Sequence, residues 1–325
     1  MRGGQASWEM LKIIINLQRY FSFMTEPKPK TELRKKDFRD RWDRLFVKNQ
    51  DSMHVLTPYL FPRRCDNEAV LNKVFDLTAV DEFLARKNAE NPVFKYTIFH
   101  IVCAAVAKCI MLKPKMNYFY SGRRLFERRF IELAFVVKRK VNEESEESLA
   151  TFRVDKEGGS LVEQVHTFVE KFVTQVRVNG QNEDISNKMD IMRLMPRPIM
   201  KFLFFILRRL EYHGIYPKGL MKGDPCYSTV FITNLGSIKM NADYHHTYEW
   251  GTGSFFIVVN QRKMRPLFKD DGSYEMRDTL KMSFTIDERI ADGFYFAKCI
   301  KLLDYLLQHP DLLDLDAATP VDVEF

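Results

Sequence analysis

The plainest periodicity in the chain lies near its end. From Thr279 to Asp287, Leu280, Met282, Phe284 and Ile286 alternate with Lys281, Ser283 and Thr285. Period 2 is the pattern of a half-buried strand. After Asp292-Gly293 the period changes: Phe296, Ile300, Leu303 and Leu307 fall on one face of a helix, which Pro310 ends. Ser228–Leu235 and Gly253–Asn260 are apolar runs that read as two further strands, and Asp270-Asp-Gly-Ser273 supplies a turn. Thr97–Leu112 is apolar on almost every face and predicts a helix buried in the domain. Its His100 reads as a hydrogen-bonded core histidine.

Upstream, Val74–Thr78 reads as a short strand, and a helix follows with Thr78 as N-cap and Asp81 and Glu82 in its first turn. Residues 53–61 read as a strand or turn entry, broken at Pro58 and Pro62. Phe130–Val137 and Ser148–Val154 read as strands around an acidic turn, Asn142–Glu147; Val162–Val176 reads as a helix and 178–190 as a polar loop. Ile199–Leu210 reads as a buried or capping helix, with a membrane-surface helix as the alternative. Helices and strands alternate from about 53 to 314 with no linker-like break and no internal repeat. The expected fold class is α/β, a mixed sheet covered by helices, in one domain over 53–314. Residues 1–52 make a basic N-terminal extension and 315–325 an acidic C-terminal tail.

Composition narrows this picture. Of 325 residues, 46% are hydrophobic and 29% charged, which excludes disordered and collagen-like classes. The net charge is +7, and +6 of it lies in residues 1–50. The remainder is nearly neutral, so no basic stripe for nucleic acid is expected and the arm reads as solvated. The five cysteines, Cys65, Cys103, Cys109, Cys226 and Cys299, include no CxxC pair. No zinc site is expected from them, and their odd number fits a reducing, cytoplasmic compartment. Leu11–Met24 is apolar but contains Lys12 and Arg19 and falls short of the about 20 residues a bilayer span needs. It also lacks a signal-peptide cleavage site. No integral membrane segment is expected, and Glu26-Pro-Lys-Pro-Lys30 reads as a linker.

Asp287-Glu-Arg-Ile-Ala-Asp-Gly293, at a strand end before an amphipathic helix, is the most informative segment. It resembles the catalytic signature of the chloramphenicol acetyltransferase and 2-oxoacid dehydrogenase acyltransferase superfamily, in which a His is followed by three residues and Asp-Gly. Tyr227–Gly236 (YSTVFITNLG) resembles the family strand that carries a hydroxyl residue near the reacting carbonyl. Tyr216-Pro-Lys-Gly-Leu220 resembles the segment just upstream of it in the chloramphenicol enzymes. Thr97–Lys108, Asn117 and Arg123–Val137 resemble the central helix and the strands after it. The likeness covers roughly 53–314 in one order. It implies a two-layer α/β sandwich, a homotrimer with active sites between subunits, and coenzyme A as co-substrate.

In this resemblance Thr233 takes the place of the hydroxyl residue that hydrogen-bonds the tetrahedral oxyanion. Asp292 matches the Asp that fixes the loop through an Arg, with Arg63 or Arg64 as its expected partner. Glu288 stands where the family has its catalytic His, the base that takes a proton from a thiol or hydroxyl. A carboxylate of ordinary pKa, about 4.3, accepts a thiol proton (about 8.5) at a cost of roughly 5–6 kcal/mol, against about 3 for an imidazole. The difference slows a base-limited step by roughly a hundredfold, and burial narrows it. Arg289, beside Glu288 in sequence, need not face it, since alternate strand residues point to opposite sides. His245 and His246 are a substitute base or channel lining, approaching Glu288 of a neighbouring chain; their alternative is a surface loop, and a metal site with Glu249 is a weaker option.

The rest of a dehydrogenase-complex acyltransferase is not expected on this chain. No lipoyl domain, swinging linker or peripheral-subunit-binding module is seen, and 1–52 is too short to hold them. No lipoyl group and no metal are expected on this chain. Two functions stay open. One is a coenzyme A-dependent acyltransferase with Glu288 in the base position; the other is a catalytically inactive relative, a pseudoenzyme acting as a ligand-binding or oligomeric scaffold.

Overall fold

The computed structural model describes residues 37–138, 147–179 and 194–323. The expectations for Leu11–Met24, Glu26–Lys30, most of the acidic turn and the loop after 179 lie outside them. A compact unit begins at Arg39, ahead of the expected start at 53; Met1–Phe38 forms a separate unit, almost all of it outside the described residues.

The elements run β1 (Arg44–Phe46), α1 (Ser52–Leu60), β2 (Glu68–Asp76), α2 (Thr78–Asn88), α3 (Ile98–Leu112), β3 (Tyr118–Ser121), β4 (Arg124–Arg128), β5 (Glu132–Lys138) and β6 (Glu147–Arg153). They continue with α4 (Leu161–Asn179), α5 (Arg197–Tyr212), α6 (Lys218–Met221), β7 (Val230–Asn234), β8 (Phe255–Phe268), β9 (Tyr274–Asp287) and α7 (Gly293–Gln308). The main sheet is mixed, in the order β2-β9-β8-β7-β5-β6. β7 runs parallel to β5 and β8, and the other neighbours are antiparallel. A small sheet, β1-β4-β3, stands apart.

The period-2 pattern decides the layers. Leu133, Phe135, Val230, Ile232, Phe255, Ile257, Leu280, Met282 and Phe284 turn to one face, where α2, α3, α4 and α7 cover them. Ala134, Phe231, Phe256 and Val258 turn to the other, which carries no helix of that cluster. The result is the expected α/β sandwich of sheet and helices. α3 lies at its centre, buried from His100 to Ile110, as its all-round apolar sequence requires. His100 is a core histidine whose Nδ1 accepts the Thr97 N–H at 2.9 Å, capping the helix, and burial lowers its pKa to about 4.

Three local expectations change. Residues 53–61 are not a strand entry but mostly α1, begun by Asp51, whose carboxylate accepts the His54 N–H at 3.0 Å. Pro58 inside it removes the N–H that would reach the His54 carbonyl; the Tyr120 hydroxyl takes that carbonyl instead at 2.7 Å. Thr78 is the first residue of α2, and the capping carboxylate is Asp76, which accepts from the Thr78 N–H (2.9 Å) and hydroxyl (2.6 Å). β9 is buried on both faces from Met282 to Asp287. Its polar side is covered by the 240–248 segment, with the Ser283 hydroxyl donating to the Ala242 carbonyl at 3.0 Å and Lys281 bound to Asp243 at 2.6 Å.

The end of the described chain is tied to this body. Buried Lys108 on α3 donates to the Ala317 carbonyl at 2.8 Å and the Thr319 carbonyl at 2.6 Å. Among the described residues no helix is long and apolar enough to cross a membrane.

Candidate active site

Thr233 lies on β7 opposite Val258 of β8. Val230 and Ile232 point to the helices and Phe231 to the other face, so alternation puts Thr233 with Phe231 on the helix-free side. There it is half-buried. His245 lies flat on Phe256 of the same face, ring centroids 3.8 Å apart, with His246 beside it at 4.8 Å. Their Nδ1 atoms bond to the carbonyls of His246 (2.8 Å) and Thr247 (3.1 Å). This loop is clamped to its own chain. Glu68 on β2 accepts from the Tyr244 hydroxyl, the Thr247 hydroxyl and the Thr247 N–H, each at 2.6 Å. Glu68 is the cross-strand partner of Asp287, so the histidines are tied to the strand end that precedes Glu288. Glu249 is engaged elsewhere, accepting the Cys65 N–H at 2.8 Å.

Glu288 opens the turn after β9. It is exposed and has no hydrogen-bond or ion-pair partner among the described residues. Its neighbours are the reverse. Asp287 has no exposed surface and Arg289 is buried. Arg289 grips Asp287 through Nε (2.8 Å) and Nη2 (2.7 Å), a bidentate pair, and Nη1 donates to the Phe61 and Pro62 carbonyls. Burial alone would lower the Arg289 pKa, but the hydrogen bonds and charge of Asp287 outweigh it and hold the guanidinium above its usual value. Arg64 approaches the same carboxylate at 3.7 Å and donates to the Tyr248 and Gly251 carbonyls. One buried anion between two buried cations thus fixes the turn, with Arg289 buried and Glu288 exposed.

This corrects the expected role of Arg63 and Arg64. Neither pairs with Asp292. Arg63 is bound to Asp66 at 3.1 Å, and Arg64 is turned to Asp287. Asp292 is exposed and caps α7, its carboxylate accepting the Tyr295 N–H at 2.8 Å. Order along the chain could not tell which carboxylate the buried arginine meets. Asp287 and Arg289 are joined across the tight turn Glu288–Ile290, where the Asp287 carboxylate also accepts the Arg289 N–H at 3.3 Å.

Thr233 and Glu288 do not meet within one chain. The Asp287 N–H donates to the Ser254 carbonyl, and Thr233 is level with Val258. Four residues along β8 is about 13 Å, and two strand spacings add about 10 Å sideways. The separation is roughly 16 Å.

Two cavities flank these elements. A cleft of about 740 Å³ at the C-terminal end of β7 is lined by Thr97, Asn234, Gly236, Ser237, Lys239 and Asn260, among others. A second, of about 290 Å³, lies behind the Glu288 turn and is lined by Tyr120, Arg64, Arg289, Glu249 and Glu211. Burial pushes the Glu211 carboxyl up to about 7, against the Tyr227 hydroxyl and the charges of Arg64 and Arg44. A raised carboxyl binds more protons folded than unfolded, so it makes stability fall as pH rises from about 4.5 to about 7. Glu211→Gln is expected to flatten that fall and to gain about 2 kcal/mol at pH 8. Urea melts of both proteins at pH 5 and pH 8 check this; equal slopes with pH would refute it.

Comparison with family models and with curated protein sequences gives no match. Solved structures do match. A probable dihydrolipoamide acetyltransferase from Listeria monocytogenes is 14% identical, with 81% of this chain and 94% of that one covered and a TM-score of 0.53. The Azotobacter vinelandii dihydrolipoamide acetyltransferase is 16% identical, with 89% and 100% covered and a TM-score of 0.54; its structure was solved to examine a serine, a histidine and an asparagine in its catalytic mechanism. The cubic core of a pyruvate dehydrogenase multienzyme complex is 14% identical over the same shares, TM-score 0.54. The chain therefore has the fold of the acyltransferase catalytic cores. At these identities the likeness is one of fold.

Proposed function

We propose that the protein transfers an acyl group from acyl-coenzyme A to an acceptor, at a site where Glu288 of one subunit meets Thr233 of another in a homotrimer. One observation carries this reading: the turn bearing Glu288 is locked by the buried Asp287–Arg289–Arg64 cluster, yet Glu288 itself is displayed and unpartnered. A fixed turn that presents one free carboxylate is what a general base needs. The roughly 16 Å between Glu288 and Thr233 is the reason a second copy is required.

In the proposed reaction Glu288 takes the proton of the attacking thiol or hydroxyl. The new acyl bond forms as the thioester C–S bond breaks, and the proton passes to the leaving thiolate. The Thr233 hydroxyl donates to the tetrahedral oxyanion. The cleft beyond Asn234 is a route for the long thioester arm, and Lys239 on its rim supplies a cation for a diphosphate. Two acyltransferase cores with the same fold, one studied for its catalytic serine and histidine, support the acyl-transfer class.

A carboxylate that stands exposed on the single chain favours a second reading, a fold kept for binding. Release of coenzyme A from acetyl- and longer acyl-coenzyme A, with and without a pool of amine, alcohol and thiol acceptors, separates the two. Acceptor-dependent release is expected, lowered about a hundredfold or more in Glu288→Gln. Release that survives the substitution moves the base to His245 or His246. No release from any donor favours the binding reading.

A further inference from the structure

The helix α5 has the sequence RPIMKFLFFILRRLEY, and it caps the surface, with Leu207 buried. Leu207 and Leu203 anchor it against Tyr216, Met221 and Tyr227, and Phe204 packs on Trp250 at 5.3 Å. The opposite side is open: Ile199 is 56%, Phe202 65% and Phe205 58% exposed, and Ile206 is exposed as well. At about 100° per residue these four side chains fill roughly 120° of the outer arc. Arg197, Lys201 and Arg208 occupy the next roughly 40°. Arg209 rises inside the apolar arc, its guanidinium 5.8 Å from the Phe205 ring centre. The single carboxylate of the helix, Glu211, is turned to the cavity behind the Glu288 turn.

We infer that α5 docks on the surface of an anionic lipid bilayer. Burying the aromatic arc among acyl chains removes apolar surface from water, and the basic stripe then lies at headgroup depth. Charge selects lipid over a second copy of the chain. A two-fold contact through α5 would set Arg197, Lys201, Arg208 and Arg209 against their own copies, whereas an anionic leaflet neutralises each of them. The surface is independent of acyl transfer, because Glu288 and Thr233 lie on other elements.

Flotation of the full chain with vesicles tests the inference. Phosphatidylcholine vesicles containing phosphatidylserine are expected to carry about tenfold more protein than phosphatidylcholine alone, with the gain lost at high salt. Phe202→Glu with Phe205→Glu, and separately Lys201→Glu with Arg208→Glu, should each abolish flotation while thermal melting and oligomeric mass stay as in the native protein. Flotation indifferent to phosphatidylserine, or retained in both variants, overturns it. A changed mass in the aromatic variant would assign the surface to a second copy instead. Absent flotation with unchanged mass would leave an acidic protein partner, and also overturns the lipid assignment.

Discussion

Chains carrying Glu288→Gln and chains carrying Thr233→Val are each expected to lose acyl transfer, yet to recover about a quarter of the wild-type rate when co-expressed in equal amounts. The reason is geometric. Thr233 is level with Val258, four residues along β8 from the Ser254 carbonyl that the Asp287 N–H reaches. No side chain spans the resulting gap, so in the proposed reaction each site draws its base from one subunit and its oxyanion donor from another. In a random mixture about one site in four then pairs an intact Glu288 with an intact Thr233. Differently tagged chains, assayed for coenzyme A release before and after purification through both tags, give the measurement; removing the unmixed trimers should raise the share of intact sites from about a quarter to about a third. Mixed oligomers with no recovered activity would show that the site is not shared. A chain that stays monomeric at assay concentration while transferring acyl groups would show the same.

The second large effect concerns stability. Asp287→Ala is expected to cost about 3–5 kcal/mol, because it leaves Arg64 and Arg289 buried without their common anion. Asp287 has no exposed surface, and its two oxygens take the Nε and Nη2 bonds of Arg289. For a chain of this size the melting temperature should fall by roughly 4–7 °C. Asp287→Asn should cost less, since it keeps the shape and one acceptor. Combining Asp287→Ala with Arg289→Met should restore part of the loss, as a buried pair replaced by apolar atoms often does. A calorimetric change under about 1 kcal/mol for Asp287→Ala would mean that water already solvates the cluster. Because the same cluster holds the Glu288 turn, residual folded Asp287→Ala protein should also lose acyl transfer.

How the site was read from the chain follows from the same physics. Thr233 and Glu288 are legible through the resemblance of YSTVFITNLG and DERIADG to the acyltransferase signatures; periodicity places only the strands that carry them. The partner of Asp292 could not be read that way. Arg63 and Arg64 are adjacent, and only the packed turn shows one bound to Asp66 and the other facing Asp287. Glu68, which holds the His245–His246 loop through three hydrogen bonds, lies 179 positions from Thr247 and left no local trace. The burial of Glu211 has no local sign either, since Arg64 and Arg44 beside it come from far along the chain.

By itself the sequence determined the layer pattern. Alternating Leu280, Met282, Phe284 and Ile286, the all-apolar α3 and the one-sided α7 dictate a sheet with helices on one face. Local periodicity does this because side-chain direction repeats with the backbone, whatever lies across the interface. Tertiary structure decided what each surface meets. It placed a hydroxyl from β3 on the carbonyl that Pro58 leaves unpaired, and covered the polar side of β9 with a loop. It also left the aromatic face of α5 open. Those outcomes depend on segments far apart in the chain, and no window of sequence contains both partners.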